Sequence, residues 1–232
     1  MMGGNPVKKV APRPRLVGVI ASSVALARAT RLRHPPDLFE LRLDALRHSL
    51  GQLTGALPKL RAPLILTARH PAEGGRGSLD LDTRRALLAR FLEQAAFVDL
   101  ELRSVRQMTA LIRQVRRRNV GLLLSFHDLR DTPNPNVLRR KTKSAAAAGA
   151  AIFKVATRTD TPAQLARLIS FCEAAPASPP IAAMGMGRLG LASRSRLAQL
   201  GSALIYVSVG ASTVAGQPSL GRLRGPGNAY TI

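Results

Sequence analysis

The chain of 232 residues has a single cysteine, Cys172. No internal disulfide framework is possible, and a reducing cytoplasm is the expected setting. No group of Cys and His residues has metal-ligand spacing, so neither a metal nor another cofactor is expected. Aromatic residues make up 3% of the chain, too few for the stacking platforms on which single-stranded nucleic acid is bound. No stretch approaches ~20 uninterrupted apolar residues, so a membrane span is not expected. Acidic residues are scarce as well: 13 stand against 35 basic ones, a formal charge of +22. A surplus of that size can mark nucleic acid, an acidic surface or an anionic substrate as the partner. Only six of the basic residues are lysine, and the arginines are scattered over presumed helices as Arg84, Arg85, Arg90, Arg103, Arg106, Arg113 and Arg116 to Arg118. That spacing reads as solvated helix faces, so nucleic acid is not expected as the primary partner, although the field would speed an anionic substrate's approach.

Hydrophobic residues at 46% and charged residues at 21% describe an ordinary globular chain, long enough for one sizeable core. Short apolar runs cover residues 16–20, 38–43, 63–67, 97–102, 121–126, 152–156, 181–184 and 204–209. Helical patterns fill most gaps, clearest over residues 81–95, 105–117, 136–148, 162–173 and 191–200, and weaker over 45–58 where Gly51, Gly55 and Pro58 intervene. Asp80 or Asp82, Ser104, Asn134 or Asn136, and Thr161 before Pro162 are start signals; Gly149 and Gly201 are stop signals. Eight strands alternating with helices predict an α/β fold, a single-domain (β/α)8 barrel of the TIM type. The barrel is expected over residues 16–217, between a flexible basic extension (1–15) and a Gly/Pro-rich tail (218–232) in which the last helix is short or missing. Lys8, Lys9, Arg13 and Arg15 before an apolar run resemble a secretory leader, but Ser22 and Ser23 interrupt that run and residues 16–20 make a good first strand.

Polar residues break into these strands at even intervals. Glu40, Arg69, Asp99 with Glu101, His127 and Lys154 fall 29, 30–32, 26–28 and 27 residues apart, one set per βα unit. Barrel enzymes gather their active sites at the carboxyl ends of the strands, so this spacing predicts one site built from many strands. Lys154 lies in Ala150-Ala-Ile-Phe-Lys-Val-Ala156, the most apolar setting of any lysine here. A desolvated lysine gives up its proton more readily and becomes a nucleophilic amine able to form an imine with a ketone. The competing reading is a lysine snorkelling to a surface carboxylate.

His127 belongs to the preceding strand, on the same face as Ser125, and is suited to proton exchange near neutral pH. The second strand reads Phe39-Glu40-Leu41-Arg42-Leu43-Asp44, so Glu40, Arg42 and Asp44 share one face, and three charges there need partners, either a hydroxylated ligand or one another. Thr67 and Arg69 share a face of the third strand, and Glu73 in the following Gly-Gly loop is placed to orient a histidine. Met184-Gly-Met-Gly-Arg-Leu-Gly190 lacks phosphate-loop spacing. Ser193-Arg194 and Ser212-Thr213-Val-Ala-Gly-Gln217 offer donors of the kind that grip a carboxylate.

Taken in order, Glu40-Leu-Arg-Leu-Asp44, Thr67-Ala-Arg-His-Pro-Ala-Glu-Gly-Gly75, Val98-Asp-Leu-Glu-Leu102, Ser125-Phe-His-Asp, Phe153-Lys-Val-Ala156, Met184-Gly-Met-Gly, Ser193-Arg194 and Gly216-Gln217 are similar to type I 3-dehydroquinate dehydratase. The resemblance runs over residues 16–217. It implies a lyase of the shikimate pathway, converting 3-dehydroquinate to 3-dehydroshikimate and water through a Schiff base on Lys154. It further implies that His127 moves the proton, Glu73 holds His127, Glu40, Arg42 and Arg69 bind ring hydroxyls, and Arg194, Thr213 and Gln217 hold the carboxylate. No metal or nucleotide is implied, and a homodimer is the expected assembly. Ala215 stands where the family usually has proline, which would loosen the last loop. The alternatives are another Schiff-base barrel, aldolase-like and acting on a different keto acid, and an inactive, basic, nucleic-acid-binding relative.

Overall fold

The computed structural model describes residues 13–174, 178–212 and 214–224. Eight strands form one sheet: β1 (Arg15–Ile20), β2 (Leu38–Arg42), β3 (Leu64–Thr67), β4 (Ala95–Glu101), β5 (Gly121–Asp128), β6 (Ile152–Arg158), β7 (Ile181–Met186) and β8 (Leu204–Ser208). All ladders are parallel, in the order β7-β6-β5-β4-β3-β2-β1-β8. The ends of this order meet at a seam between β7 and β8. There the Ala203 amide donates to the Ile181 carbonyl at 2.7 Å. The Ser202 hydroxyl accepts from the Ala183 amide at 3.0 Å and lies 3.3 Å from the Ala183 carbonyl. A serine side chain thus stitches the edges where the register breaks, and the sheet becomes a barrel.

Parallel strands covered on both faces read as continuous apolar runs because each face meets its own core. The outward residues Phe39, Leu41, Leu66, Val98, Leu100, Leu124, Phe153 and Val155 pack under the helices. The inward residues Val17, Leu38, Ile65, Leu123, Ile152, Ala182 and Leu204 fill the barrel floor. Burying each such side chain contributes roughly 1.5–3 kcal/mol relative to leaving it in water. Two residues further along the same inner faces the chemistry changes, with Glu40, Thr67, Asp99, Ser125, Lys154 and Tyr206, all buried. The period of two therefore stacks a polar tier on an apolar floor at the carboxyl ends of the strands.

The covering helices are α1 (Ser23–Ala29), α2 (Leu43–Leu46), α3 (Leu50–Ala56), α4 (Leu81–Arg90), α5 (Thr109–Arg117), α6 (Pro135–Ala147), α7 (Pro162–Glu173), α8 (Gly190–Gln199) and α9 (Leu220–Arg224). Asp80, Asn134 and Thr161 cap α4, α6 and α7 with their side chains, and Thr161 forms a full capping box with Gln164. Gly149 and Gly201 follow α6 and α8 at φ +77° and +87°, where glycine carries no Cβ penalty. Ser104 does not start a helix: its hydroxyl donates to Glu101, residues 102–104 form a 3-10 turn, and α5 begins only at Thr109. The weak region 45–58 resolves into short pieces, α2 and α3 separated by the 3-10 turn Arg47–Ser49. At the end of the chain, α9 presses Leu220 and Leu223 onto Leu16, Ile205 and Val207, so the segment expected as tail begins as packed structure. Among the described residues no helix is long and apolar enough to cross a membrane.

Replacing Ser202 with alanine leaves the Ala183 amide buried without its acceptor, at a cost of about 1–3 kcal/mol. Urea titration of Ser202→Ala should show a lower midpoint at unchanged slope. An unmoved midpoint would mean that the Ala203–Ile181 bond closes the seam alone.

Candidate active site

At the carboxyl mouth lies a cavity of about 110 Å³ whose lining includes Glu40, Arg42, Arg69, Glu73, His127, Lys154, Arg194 and Gln217. These eight residues, each given a role by the resemblance, therefore open on one space, while Asp44, Asp99 and Glu101 lie behind it; Thr213 lies outside the described residues. Met184, Met186, Ala156, Leu129, Val214 and Tyr206 supply the apolar wall.

Lys154 is 4% exposed on β6, and its Nζ lies 3.1 Å from Asp99 Oδ2 and 3.4 Å from Glu40 Oε1. The Tyr206 ring covers it, with the centroid 3.9 Å from the nitrogen. The expectation of an amine surrounded only by hydrocarbon is corrected here. Its sequence neighbours Phe153 and Val155 point outward into the helix layer, while β2 and β4 bring carboxylates across the barrel to meet it.

Asp99 in turn holds Arg69, at 3.2 Å and 2.6 Å to the two terminal nitrogens, and accepts from the Ser125 hydroxyl at 2.6 Å. Arg69 also reaches Glu101 at 3.1 Å, so its guanidinium is largely committed to protein carboxylates, although it lines the cavity. These neighbours drive the Asp99 carboxyl far below the usual range: burial alone would raise it, and the charges of Arg69 and Lys154 outweigh that. Glu101 pairs with Arg84 from α4. Arg84 is 1% exposed, so one of the arginines expected on a solvated face is a core residue, with its Nε donating to the Ala68 carbonyl at 2.8 Å.

Asp44 does not extend the β2 face. The strand ends at Arg42, and Asp44 sits in the first turn of α2, fully buried. It takes both Arg42 bonds, at 3.0 Å and 2.8 Å, and caps the β3 loop by accepting from the amides of Arg69 and Arg76 at 3.2 Å and 2.9 Å. It is a structural partner for Arg42, which remains on the cavity wall.

His127 is at the carboxyl end of β5, next to β6, with Ser125 opposite Lys154 in the ladder. Glu73 ends the 3-10 turn Pro71–Glu73, and Gly74 follows at φ +87°, a left-handed turn that returns the chain across the mouth. Glu73 Oε2 lies 3.0 Å from the His127 amide nitrogen and 2.9 Å from its Nδ1. When Glu73 is ionised that oxygen can only accept, from the amide and from the ring alike, which places the ring proton on Nδ1 and leaves Nε2 with a lone pair. Burial, followed by the charges of Arg69 and Lys154, pushes the His127 imidazole well below its ordinary value, so it is neutral at pH 7. Burial raises Glu73 to about 7.

On the far side, α8 carries Arg194, whose guanidinium donates to the carbonyls of Gly190 at 3.0 Å and Gly216 at 2.6 Å. Gly216 has φ +77°, and a Cβ there would meet the Gly187 carbonyl oxygen at 2.7 Å. Only glycine permits this approach, which carries Gln217 onto the cavity. The Ala215 carbonyl accepts from the Gly187 amide at 3.0 Å, a tether available without proline at 215. Among the described residues there is no group of three or more His, Cys, Asp or Glu placed to hold a metal.

Tyr206 and Arg84 escaped the sequence reading. Tyr206 sits inside an apolar strand run, and Arg84 inside a basic helix. Only the inward register of β8, with Leu204 and Tyr206 two apart, could have flagged the tyrosine.

A parallel barrel with a buried lysine, a carboxylate-oriented histidine and paired arginines at its carboxyl mouth is the layout of a (β/α)8 enzyme. The chain belongs to the Type I 3-dehydroquinase family, whose model matches residues 19–227. It is 33% identical over 186 residues to the 3-dehydroquinate dehydratase of Methanothermobacter thermautotrophicus, covering 78% of this chain and 79% of that one. It is 32% identical over 208 residues to that of Pyrobaculum aerophilum, covering 86% and 67%. The crystal structure of the 3-dehydroquinate dehydratase from Geobacillus kaustophilus superposes with a TM-score of 0.82 at 25% identity, over 92% of this chain and 89% of that one.

The Glu73 shift makes a stability prediction. The group binds its proton more tightly folded, at about 7, than unfolded, at about 4.5. Its contribution is therefore full below 4.5 and lost as pH rises through 7. Glu73→Gln should gain about 2 kcal/mol on the parent between pH 5 and pH 8 in denaturant unfolding. A constant difference across that range would refute the raised value.

Proposed function

We propose that the chain dehydrates 3-dehydroquinate to 3-dehydroshikimate through an imine on Lys154, with His127 carrying the proton. The observation that supports this most is the shared cavity of about 110 Å³ onto which both side chains open from adjacent strands. The Lys154 amine adds to the ring ketone, and the adduct's hydroxyl leaves as water with the proton that the ammonium had released, giving an iminium. Its positive nitrogen draws electrons from the neighbouring carbon, and the neutral His127 Nε2 takes that carbon's proton. The resulting enamine expels the hydroxyl one carbon further on, which leaves as water with the proton from the imidazolium. Hydrolysis of the product imine restores the lysine.

Glu73 keeps the ring proton on Nδ1 and so aims the Nε2 lone pair at the substrate. Glu40 and Arg42 face the ring hydroxyls; Arg194 and Gln217, with Thr213, take the carboxylate, which holds the ring in line with the base. Arg69 is expected to act mainly by fixing Asp99 beside the lysine, because its own donors face Asp99, Glu101 and Ser125. The net charge of +22 favours the approach of an anionic substrate.

Incubation with 3-dehydroquinate should produce the ultraviolet absorbance of the conjugated product, and borohydride should trap an adduct that maps to Lys154. Turnover without an adduct would discard the imine. His127→Ala should still form the adduct while turnover falls about 10²–10⁴-fold. Full turnover in that variant would remove the histidine from the mechanism.

A further inference from the structure

Six buried side chains of formal charge, Lys154 among them, form one contiguous network. Glu40, Asp99 and Glu101 are 3%, 0% and 0% exposed, and Arg69, Arg84 and Lys154 are 2%, 1% and 4% exposed. Each touches the next: Arg84 to Glu101, Glu101 to Arg69, Arg69 to Asp99 and Glu40, and both of these to Lys154. Three negative and three positive charges balance. In so dry a setting an uncompensated charge is costly, so the sum matters more than any single pair.

This balance bears on the chemistry of the imine, and the inference rests on that reading of Lys154. Converting ammonium and ketone to iminium and water leaves one positive charge on the same nitrogen. The network is balanced before and after, and only the free amine that attacks the ketone, together with the neutral adduct it first forms, departs from balance. The charge of the surrounding five groups therefore sets how often the lysine is free to attack. Arg84 and Glu101 neither touch Lys154 nor line the cavity, yet they enter that sum.

We propose that Arg84, on the outer helix α4, is a positioning residue that with Glu101 sets the pH range over which Lys154 attacks its substrate. Without Arg84, Glu101 is left with Arg69 alone, and the surroundings of Lys154 carry a surplus negative charge that favours the ammonium. Without Glu101, the surplus is positive and favours the amine. The other charged and titratable groups facing the lysine are Glu40 from β2, Arg69 beyond β3, Asp99 from β4 and Tyr206 from β8. Glu73, His127, Arg42 and Arg194 face it across the cavity. All of them are common to every variant, so shifts between variants, not absolute midpoints, carry the result.

The test is the initial rate of borohydride-trapped adduct formation as a function of pH, on full-length protein. Arg84→Met should move the rising limb up by about one pH unit and lower the rate at pH 7 about tenfold, with recovery at alkaline pH. Glu101→Gln should move it down, the opposite sense. The double variant Arg84→Met/Glu101→Gln restores the balance and should return the limb to its parent position although the ion pair is gone; Arg84→Lys should stay there throughout. A purely structural role for Arg84 predicts equal loss at every pH and no rescue in the double variant, and either result would overturn the proposal. If Arg84→Met does not fold, Glu101→Gln and the balanced double variant decide the matter, since coincident limbs in those two would sink it. Absence of any adduct in the parent protein would instead overturn the imine reading.

Discussion

The Lys154 side chain has to be accommodated in the interior of the barrel, where a lone charge costs several kcal/mol unless it is paired. Asp99 and Glu40 make this possible at 3.1 Å and 3.4 Å. Two carboxylates beside one ammonium are themselves unbalanced, which brings in Arg69; Arg69 also meets Glu101, and Glu101 needs Arg84. One buried amine thus draws residues from β2, β4, the loop after β3 and the outer helix α4 into a single arrangement. A buried ionic cluster of this kind is weak as a source of stability, because desolvation offsets most of the attraction. Its presence at the carboxyl mouth of the barrel is therefore not accounted for by stability alone.

Next to this network lies a second, electrostatically different unit. His127 Nδ1 and Glu73 Oε2 lie 2.9 Å apart, and burial, followed by the charges of Arg69 and Lys154, holds the imidazole well below its ordinary value. Arg69 and Lys154 thus act on both neighbours, helping to hold the Asp99 carboxyl far below and the His127 imidazole well below their ordinary values, and Lys154 and His127 sit one strand apart.

Much of this was legible in the chain itself. Eight apolar runs with intervening helical patterns determine a parallel barrel, and polar residues recurring once per βα unit indicate where its mouth lies. Glu40, His127 and Lys154 were placed at the mouth on that logic because each interrupts or directly follows an apolar run, and Glu73 because it stands in the Gly-Gly loop after the third strand. The environment of a residue was harder to read than its location. Lys154 looked isolated because its carboxylate partners are 55 and 114 residues away. Arg84 looked solvated because helix α4 is basic throughout, and its burial depends on Glu101, a residue 17 positions on. Asp44 looked like a third strand residue because a period of two continues on paper past Arg42, where the chain has already turned into α2. Each error has the same origin: pairing across the barrel is a property of strand order and register, which local pattern does not encode.

The division of the barrel into sectors also explains how it accommodates so short a last helix. The charge network and the His127–Glu73 contact use β2 to β6 and their loops, while α9 packs its two buried leucines against β1 and β8. A five-residue helix covers less of that face than a full one, and the consequence falls on the apolar packing of Leu16, Ile205 and Val207. The link between the two sectors is the turn at Gly216, which Arg194 holds by its carbonyl from α8 and Gly187 holds by accepting a close backbone approach. Gln217 reaches the cavity through that turn, whatever length of helix follows it. Ala215 and the short α9 lie in this second sector, and Ala215 helps to anchor the turn because its carbonyl accepts from the Gly187 amide at 3.0 Å.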